Sequence, residues 1–159
     1  MDELLRLLKQ NAKETPENIA KLLDLTPDEV REQITNYENR GIIRGYQAIV
    51  NEDQLDIERV TAVIEVKVTP DREGGFNLIA NRIGKFPEVK SMYLMSGAFD
   101  FLLFVEGDNL QNVAMFVSEK LSTIAGVVST STHFMLKTYK HHGVLMESED
   151  EYERLKITP

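Results

Sequence analysis

The chain has 159 residues, is 42% hydrophobic and 28% charged, and contains no cysteine, which argues against global disorder and excludes disulfides and cysteine-ligated metal sites. A formal net charge of −8 argues against indiscriminate coating of nucleic acid, which feeds on a positive field, but leaves room for a small local DNA-reading patch. The opening MDELLRLLKQNAKE is too charged for a signal peptide and no apolar run approaches the roughly 20 residues of a membrane span, so a soluble, cytoplasmic chain with no membrane partner is expected.

Leu4, Leu5, Leu7 and Leu8 have helical spacing and predict an amphipathic helix over residues 3–11. A second helix begins at ETPENIAKLL, with Thr15 as cap, Pro16 at the first position and Ile19, Ala20, Leu22 and Leu23 as its apolar face. DLTPDEV repeats the signal: Thr26 caps, Pro27 follows, and Glu29 completes a capping box. In this third helix Val30, Ile34 and Tyr37 recur at i, i+4 and i+7, and Gly41 supplies a left-handed stop. Two short helices so closely spaced suit a helix-turn-helix, and equally an all-helical packing module. With the apolar stripe inward, the outer face is Asp28, Glu32, Thr35, Asn36 and Asn39, flanked by Arg31 and Arg40. Asparagine can pair with adenine and glutamate can accept from cytosine in the major groove. The candidate DNA-binding residues are therefore Thr26, Arg31, Glu32, Thr35, Asn36, Arg40 and Arg44, with further phosphate attraction from Lys9, Lys13 and Lys21. The competing reading is a merely solvated face.

After Gly41 the chain reads as a wing-like strand, which makes residues 1–45 a winged-type helix-turn-helix domain. YQAIV suits a strand and NEDQLDIE a linker, together spanning 46–58. From 59 to 140 the order is strand, helix, strand, strand, helix, strand, the βαββαβ pattern of a ferredoxin-like domain, so the fold class is α+β. RVTAVIEVKV alternates; Phe76, Ile79, Ala80 and Ile83 form a helical stripe; VKSMYLM and FDFLLFVEG flank the turn signal Ser96-Gly97-Ala98. Leu110, Val113, Ala114, Val117 and Leu121 mark the second helix, and VVSTSTHFMLKTY the last strand. Phe101 to Val105 is apolar on both faces, whereas one layer of helices hides only one. Self-association would cover the other; a moderate exposed patch is the alternative. Residues 141–159 form a tail that turns acidic after Glu147 and is either a terminal helix or a disordered end.

Catalytic and metal chemistry find little support. There is no phosphate-loop or dinucleotide pattern, and the adjacent His141 and His142 should point to opposite sides, a poor joint ligand set. No enzyme activity, metal or cofactor is expected. Asp100, after a glycine turn and at the head of the most apolar strand, must be solvated, bonded to backbone N–H groups, or paired with a ligand.

These stretches in this order resemble the Lrp/AsnC, or feast/famine, transcriptional regulators. NIAKLLDLTPDEV is similar to the family's helix-turn-helix entry, YENRGIIRGYQAIVN to its L-E-x-x-G-V-I-x-G-Y-x-A stretch, SGAFDFLLFV to its G-x-x-D loop and strand, and GVVSTSTHFMLK to its closing T-x-T strand. The resemblance covers about residues 3–140. It implies a homodimer or larger ring that binds promoter DNA and takes an amino acid or related metabolite near the G-x-x-D loop. Effector-binding candidates carried across are Ser96, Gly97, Phe99, Asp100, Thr130 and Thr132. The acidic third helix also suits a different role, an interaction subunit with weakened DNA binding that hetero-assembles with a related regulator.

Overall fold

Three capped helices build the first unit of the computed structural model, which describes residues 2–70 and 72–147 and divides into Met1–Val50 and Asn51–Pro159. Helix α1 (Glu3–Gln10) starts where the Asp2 carboxylate accepts from the Leu5 N–H at 2.9 Å. Helix α2 (Pro16–Leu23) starts where Thr15 accepts from the Asn18 N–H at 3.2 Å. These caps satisfy donors that a helix leaves orphaned at its first turn. Helix α2 ends on Asp24 at φ 54°, with the Leu25 N–H donating back to the Ala20 carbonyl at 3.0 Å. Aspartate is one of the few side chains that tolerate this left-handed geometry. Helix α3 (Pro27–Asn39) carries the expected capping box. It stops at Gly41, φ 67°, where the Ile42 and Gly41 N–H groups donate to the Tyr37 and Glu38 carbonyls at 2.8 and 2.9 Å, a Schellman closure.

Leu4, Leu8, Ile19, Ala20 and Val30 are buried between these helices, with Leu7, Leu23, Leu25, Ile34, Tyr37 and Ile43 packed around them. The Tyr37 hydroxyl donates to the Asp2 carboxylate, tying the end of α3 to the start of α1. Two expectations need correction. Leu22, read as part of the apolar face, is 66% exposed. The wing-like strand and the YQAIV strand do not form: residues 44–50 are exposed and belong to no strand. A segment becomes a strand only where its backbone groups find a ladder partner, and among the described residues no other segment of the first unit is a strand.

The second unit is the ferredoxin-like domain. Its elements are β1 (Val60–Val68), α4 (Gly75–Ile83), β2 (Val89–Leu94), β3 (Phe101–Gly107), α5 (Leu110–Met115) continuing as a π-helix over Phe116–Leu121, and β4 (Val127–Phe134). The sheet has order β2-β3-β1-β4 with antiparallel neighbours throughout. Ala62, Ile64, Val66 and Val68 of β1 and Phe101, Leu103 and Val105 of β3 point to one face, where Ile79, Ile83, Val113, Phe116 and Leu121 cover them. Gly126, at φ 96° before β4, packs so tightly that an added Cβ would lie 2.7 Å from Ile79 Cδ1.

The other sheet face carries Val63, Tyr93, Leu102 and Phe104, with the Tyr93 and Phe104 rings edge to face at 6.2 Å. Helices α4 and α5 of this unit both pack on the first face. The stretch read as a linker is held instead: a short 3-10 turn, Glu52–Gln54, is flanked by Asn51, whose amide donates to the Met146 carbonyl at 2.7 Å. Arg59 pairs with Glu52 and Glu106 at 3.6 and 3.5 Å. The segment read as tail begins as a hairpin, β5 (Lys140–His141) and β6 (Val144–Leu145), turned by His142 and Gly143 at φ 46° and 88°. The acidic run read over 148–159 lies outside the described residues.

Candidate nucleic-acid and effector sites

Helix α3 presents the outer face that its periodicity requires. Glu32, Thr35, Asn36, Asn39 and Arg40 are exposed and line one shallow groove; Glu29, Glu32, Gln33, Asn36, Tyr37 and Arg40 line an adjoining one. The helix is pinned at its start, since the Thr26 N–H donates to Glu29 Oε2 at 2.7 Å while the Glu29 N–H donates to Thr26 Oγ1 at 3.3 Å. The two donors of Thr26, first its N–H and then its hydroxyl, hold the Glu29 carboxyl below its ordinary value. Thr26 is thus a cap first, its hydroxyl hydrogen already committed to Glu29 at 2.8 Å.

Arg31 departs from the expectation of a free phosphate ligand. Its guanidinium donates to Asp28 at 2.9 Å and to Glu17 of α2. Arg31 and Glu17 are half-exposed and Asp28 almost fully so, and such pairs contribute little stability and exchange readily, but a phosphate would have to compete with two carboxylates. Arg40 and Arg44, by contrast, have no ion-pair partner among the described residues. Arg44 lies against Gly41, where an added Cβ would approach its guanidinium carbon to 3.1 Å. Tyr46 donates to Glu38 at 2.9 Å and anchors the chain just after α3.

In the second unit the six residues Met95 to Asp100 join β2 to β3. The Met95 N–H donates to the Asp100 carbonyl at 2.8 Å and closes the loop. Ser96 and Gly97 are exposed, Phe99 and Asp100 half-buried. Gly97 sits at φ 137°, with open space around it; only glycine adopts that backbone without strain. Of the three fates open to Asp100, the structure realises the backbone bond, but to a neighbouring strand rather than its own turn. The Asp100 N–H donates to the Val66 carbonyl at 3.0 Å, and Asp100 Oδ2 accepts from the Val68 N–H at 2.8 Å. The β1–β3 register ends at Val66 opposite Phe101, so the carboxylate serves as the next rung. It does so where β1 slips register against β4, between Lys67 and Val68.

Thr130 and Thr132 pair with Val66 and Ile64 from the other side of β1. Val66 therefore stands between Phe101 and Thr130, which places Thr130 about 10 Å, two strand spacings, from the start of β3. Thr132 is one pleat further along. Ser96, Gly97, Phe99 and Asp100 are gathered in one loop, Thr130 flanks its base, and Thr132 is the most distant.

No group of three or more candidate ligands occurs among the described residues. His133 faces Ser131 and Glu65 at 3.3 and 3.7 Å on the open sheet face. His141 and His142 do not point apart as expected: their rings lie 4.2 Å centroid to centroid, because His142 has left the strand for the turn. Among the described residues no helix is long and apolar enough to cross a membrane.

Comparison with known proteins adds the following. Residues 61–145 match the Lrp/AsnC ligand binding domain. An uncharacterized HTH-type transcriptional regulator of Bacillus subtilis, YugG, is 44% identical over 158 residues, 99% of this chain and 95% of that protein. The proline dehydrogenase transcriptional activator of Rhizobium radiobacter is 25% identical over 142 residues, 89% of this chain and 90% of that protein. Among solved structures, a transcriptional regulator of Neisseria meningitidis in complex with L-methionine superposes with a TM-score of 0.68 at 25% identity, covering 89% of this chain and 93% of that one.

Proposed function

Because the chain belongs to the Lrp/AsnC family of transcriptional regulators, we propose that its first unit binds double-stranded promoter DNA and that its second binds an amino acid or related small metabolite which adjusts that binding. The observation that carries the DNA half is the face of α3. A capped, core-anchored helix exposes Glu32, Thr35, Asn36 and Asn39 together, with unpaired Arg40 and Arg44 at its far end. Polar side chains of this kind read base edges; unpaired cations take phosphates. In the effector half, Asp100 spends Oδ2 on Val68 and keeps Oδ1 for a ligand ammonium, while the exposed Ser96–Gly97 backbone leaves room beside it. The naming of near full-length relatives as regulators does not favour a subunit that has lost DNA binding, nor an enzyme.

The open sheet face supports a homodimer. Leu102, Phe104, Val63 and Tyr93 form an apolar strip that a second copy would bury, and a two-fold pair of reading helices matches a palindromic operator. Fluorescence anisotropy on genomic fragments recovered with the protein, with and without pooled amino acids and across a salt series, tests the whole reading. Binding should weaken with salt, with a slope set by the few unpaired cations, and Arg40→Ala should flatten that slope by about one unit. Failure to retain any DNA at low salt refutes the DNA half; salt-sensitive binding indifferent to every amino acid refutes the effector half.

A further inference from the structure

The charge of α3 points to more than DNA binding in general. Resting on the reading that α3 contacts DNA, we propose that Glu32 is a cytosine-selecting residue and that, with Asn36 one turn away, it reads a half-site containing a C·G pair and an A·T pair about two steps apart.

Glu32 is exposed, and its carboxylate has no hydrogen-bond or ion-pair partner among the described residues. The neighbouring acids are engaged: Asp28 and Glu17 by Arg31, Glu29 by Thr26, Glu38 by Tyr46. Arg31, the cation nearest in sequence, is held by Glu17 and Asp28 and not by Glu32. Glu32 is therefore the free anion in the middle of the outer face. An ionised carboxylate only accepts hydrogen bonds. In the major groove guanine offers N7 and O6 and thymine O4, all acceptors, so each would repel it. Adenine offers one donor beside the acceptor N7. Cytosine offers N4–H₂ with no acceptor on its own exposed edge. A free carboxylate here is a penalty against guanine and thymine, a mixed contact with adenine, and an unopposed bond to cytosine.

The neighbours fit a reading role. Thr35 donates its hydroxyl to the Arg31 carbonyl at 2.9 Å, so it offers the groove an acceptor and a methyl group. Asn36 has its amide free among the described residues and supplies the donor and acceptor that adenine N7 and N6 require. Glu32 and Asn36 are four residues apart, about 6 Å along the helix, which is close to two base-pair steps of about 3.4 Å.

The test is in vitro selection from a randomised duplex library with the full-length wild type, Glu32→Gln and Asn36→Ala. All three should fold alike, since both side chains are exposed. Wild type is expected to return one column with cytosine favoured by about tenfold or more. Glutamine pairs with adenine N6 and N7, so Glu32→Gln should convert that column from C to A and leave the others in place. Asn36→Ala should flatten a separate A·T column two steps away. A wild-type motif that Glu32→Gln leaves unchanged, bound with the usual salt sensitivity, overturns the proposal while DNA binding stands. No enrichment by any of the three overturns the DNA reading itself.

Discussion

Replacing Asp100 probes the contact that extends the β1–β3 ladder. Val68 is 6% exposed, so when its N–H loses Oδ2, bonded at 2.8 Å, water has little access to take over. Hydrogen bonds to charged groups contribute about 1.5–3 kcal/mol, and a buried donor left unsatisfied costs about 1–3 kcal/mol. Asp100→Ala should therefore destabilise the second unit by about 2–3 kcal/mol. Asparagine keeps an acceptor oxygen in the same place, so Asp100→Asn should lose only the charge-assisted part, about 1 kcal/mol. Urea unfolding of the full chain, followed by circular dichroism, reads the total. With a slope of about 1–2 kcal/mol per molar for a domain of this size, the alanine midpoint should fall by about 1–3 M. Amide exchange at Val68 reads the local cause and should accelerate in the alanine variant alone. Equal midpoints for Ala, Asn and wild type, with Val68 equally protected in all three, would refute the ladder argument. In that event the Asp100 carboxylate would be doing its work elsewhere.

Gly126→Ala combines a positive φ with a Cβ 2.7 Å from Ile79 Cδ1 and 3.2 Å from the Thr69 carbonyl; thermal unfolding should show a loss of about 1–3 kcal/mol from overpacking. Leu102→Asp and Leu103→Asp should separate assembly from folding. Leu103 is fully buried in the core while Leu102 lies on the open face, so sedimentation should show a folded, dissociated Leu102 variant, and circular dichroism an unfolded second unit for Leu103. A folded Leu102→Asp protein of unchanged mass would discard the open face as the dimer surface. The first unit should lose stability in acid. Asp2 is held below its ordinary value, first by the Leu5 N–H and then by Tyr37, and Glu29 by Thr26. Depressed carboxyls stabilise above their unfolded pKa and cease to do so as pH falls through the lower folded values. Thermal scans should thus be flat near neutrality and fall below about pH 4. A midpoint that rises on acidification contradicts these assignments.

What could be read from the sequence follows the range of the forces. Strands β1 and β3 were legible because Ala62, Ile64, Val66 and Leu103 announce a buried face by period-two alternation or apolar runs. Helix starts were legible because capping spans three residues: Thr15 with Asn18, Thr26 with Glu29. At the end of α2, Asp24 reaches φ 54° without the glycine that usually marks such a stop. The pairing of Arg31 with Glu17 joins residues 14 apart on two helices, and no local pattern carries that. The sequence marks Asp100 as an aspartate needing a partner, but the partner, Val68, is 32 residues away on the far side of a helix and a strand. The absent strand over 44–50 and the unforeseen β5–β6 hairpin have one cause. Strand formation is decided by a ladder partner, and composition reports only the willingness to take one.

An acidic chain that binds DNA has to distribute its affinity differently from a basic one. In the first unit Arg6 and Arg31 are paired with acids, leaving Lys9, Lys13, Lys21, Arg40 and Arg44 without an ion pair among the described residues. Each phosphate neutralised adds about 0.9 to the salt slope, so few cations mean a shallow slope and weak sequence-independent binding. The net charge of −8 weakens it further at long range, though screening confines that field to about 8 Å at physiological salt. Within that distance the face of α3 decides. On the proposed reading, a bare Glu32 would lower affinity for sequences that place only acceptors opposite it and spare those that place a donor there. Discrimination is a difference between affinities, and suppressing the wrong sites raises it as surely as strengthening the right one. Two copies on one operator would restore the lost affinity by binding together. If two copies do assemble, the same arrangement would give a ligand in the second unit its leverage: when each reading unit binds weakly alone, a modest change in how two copies assemble becomes a large change in occupancy.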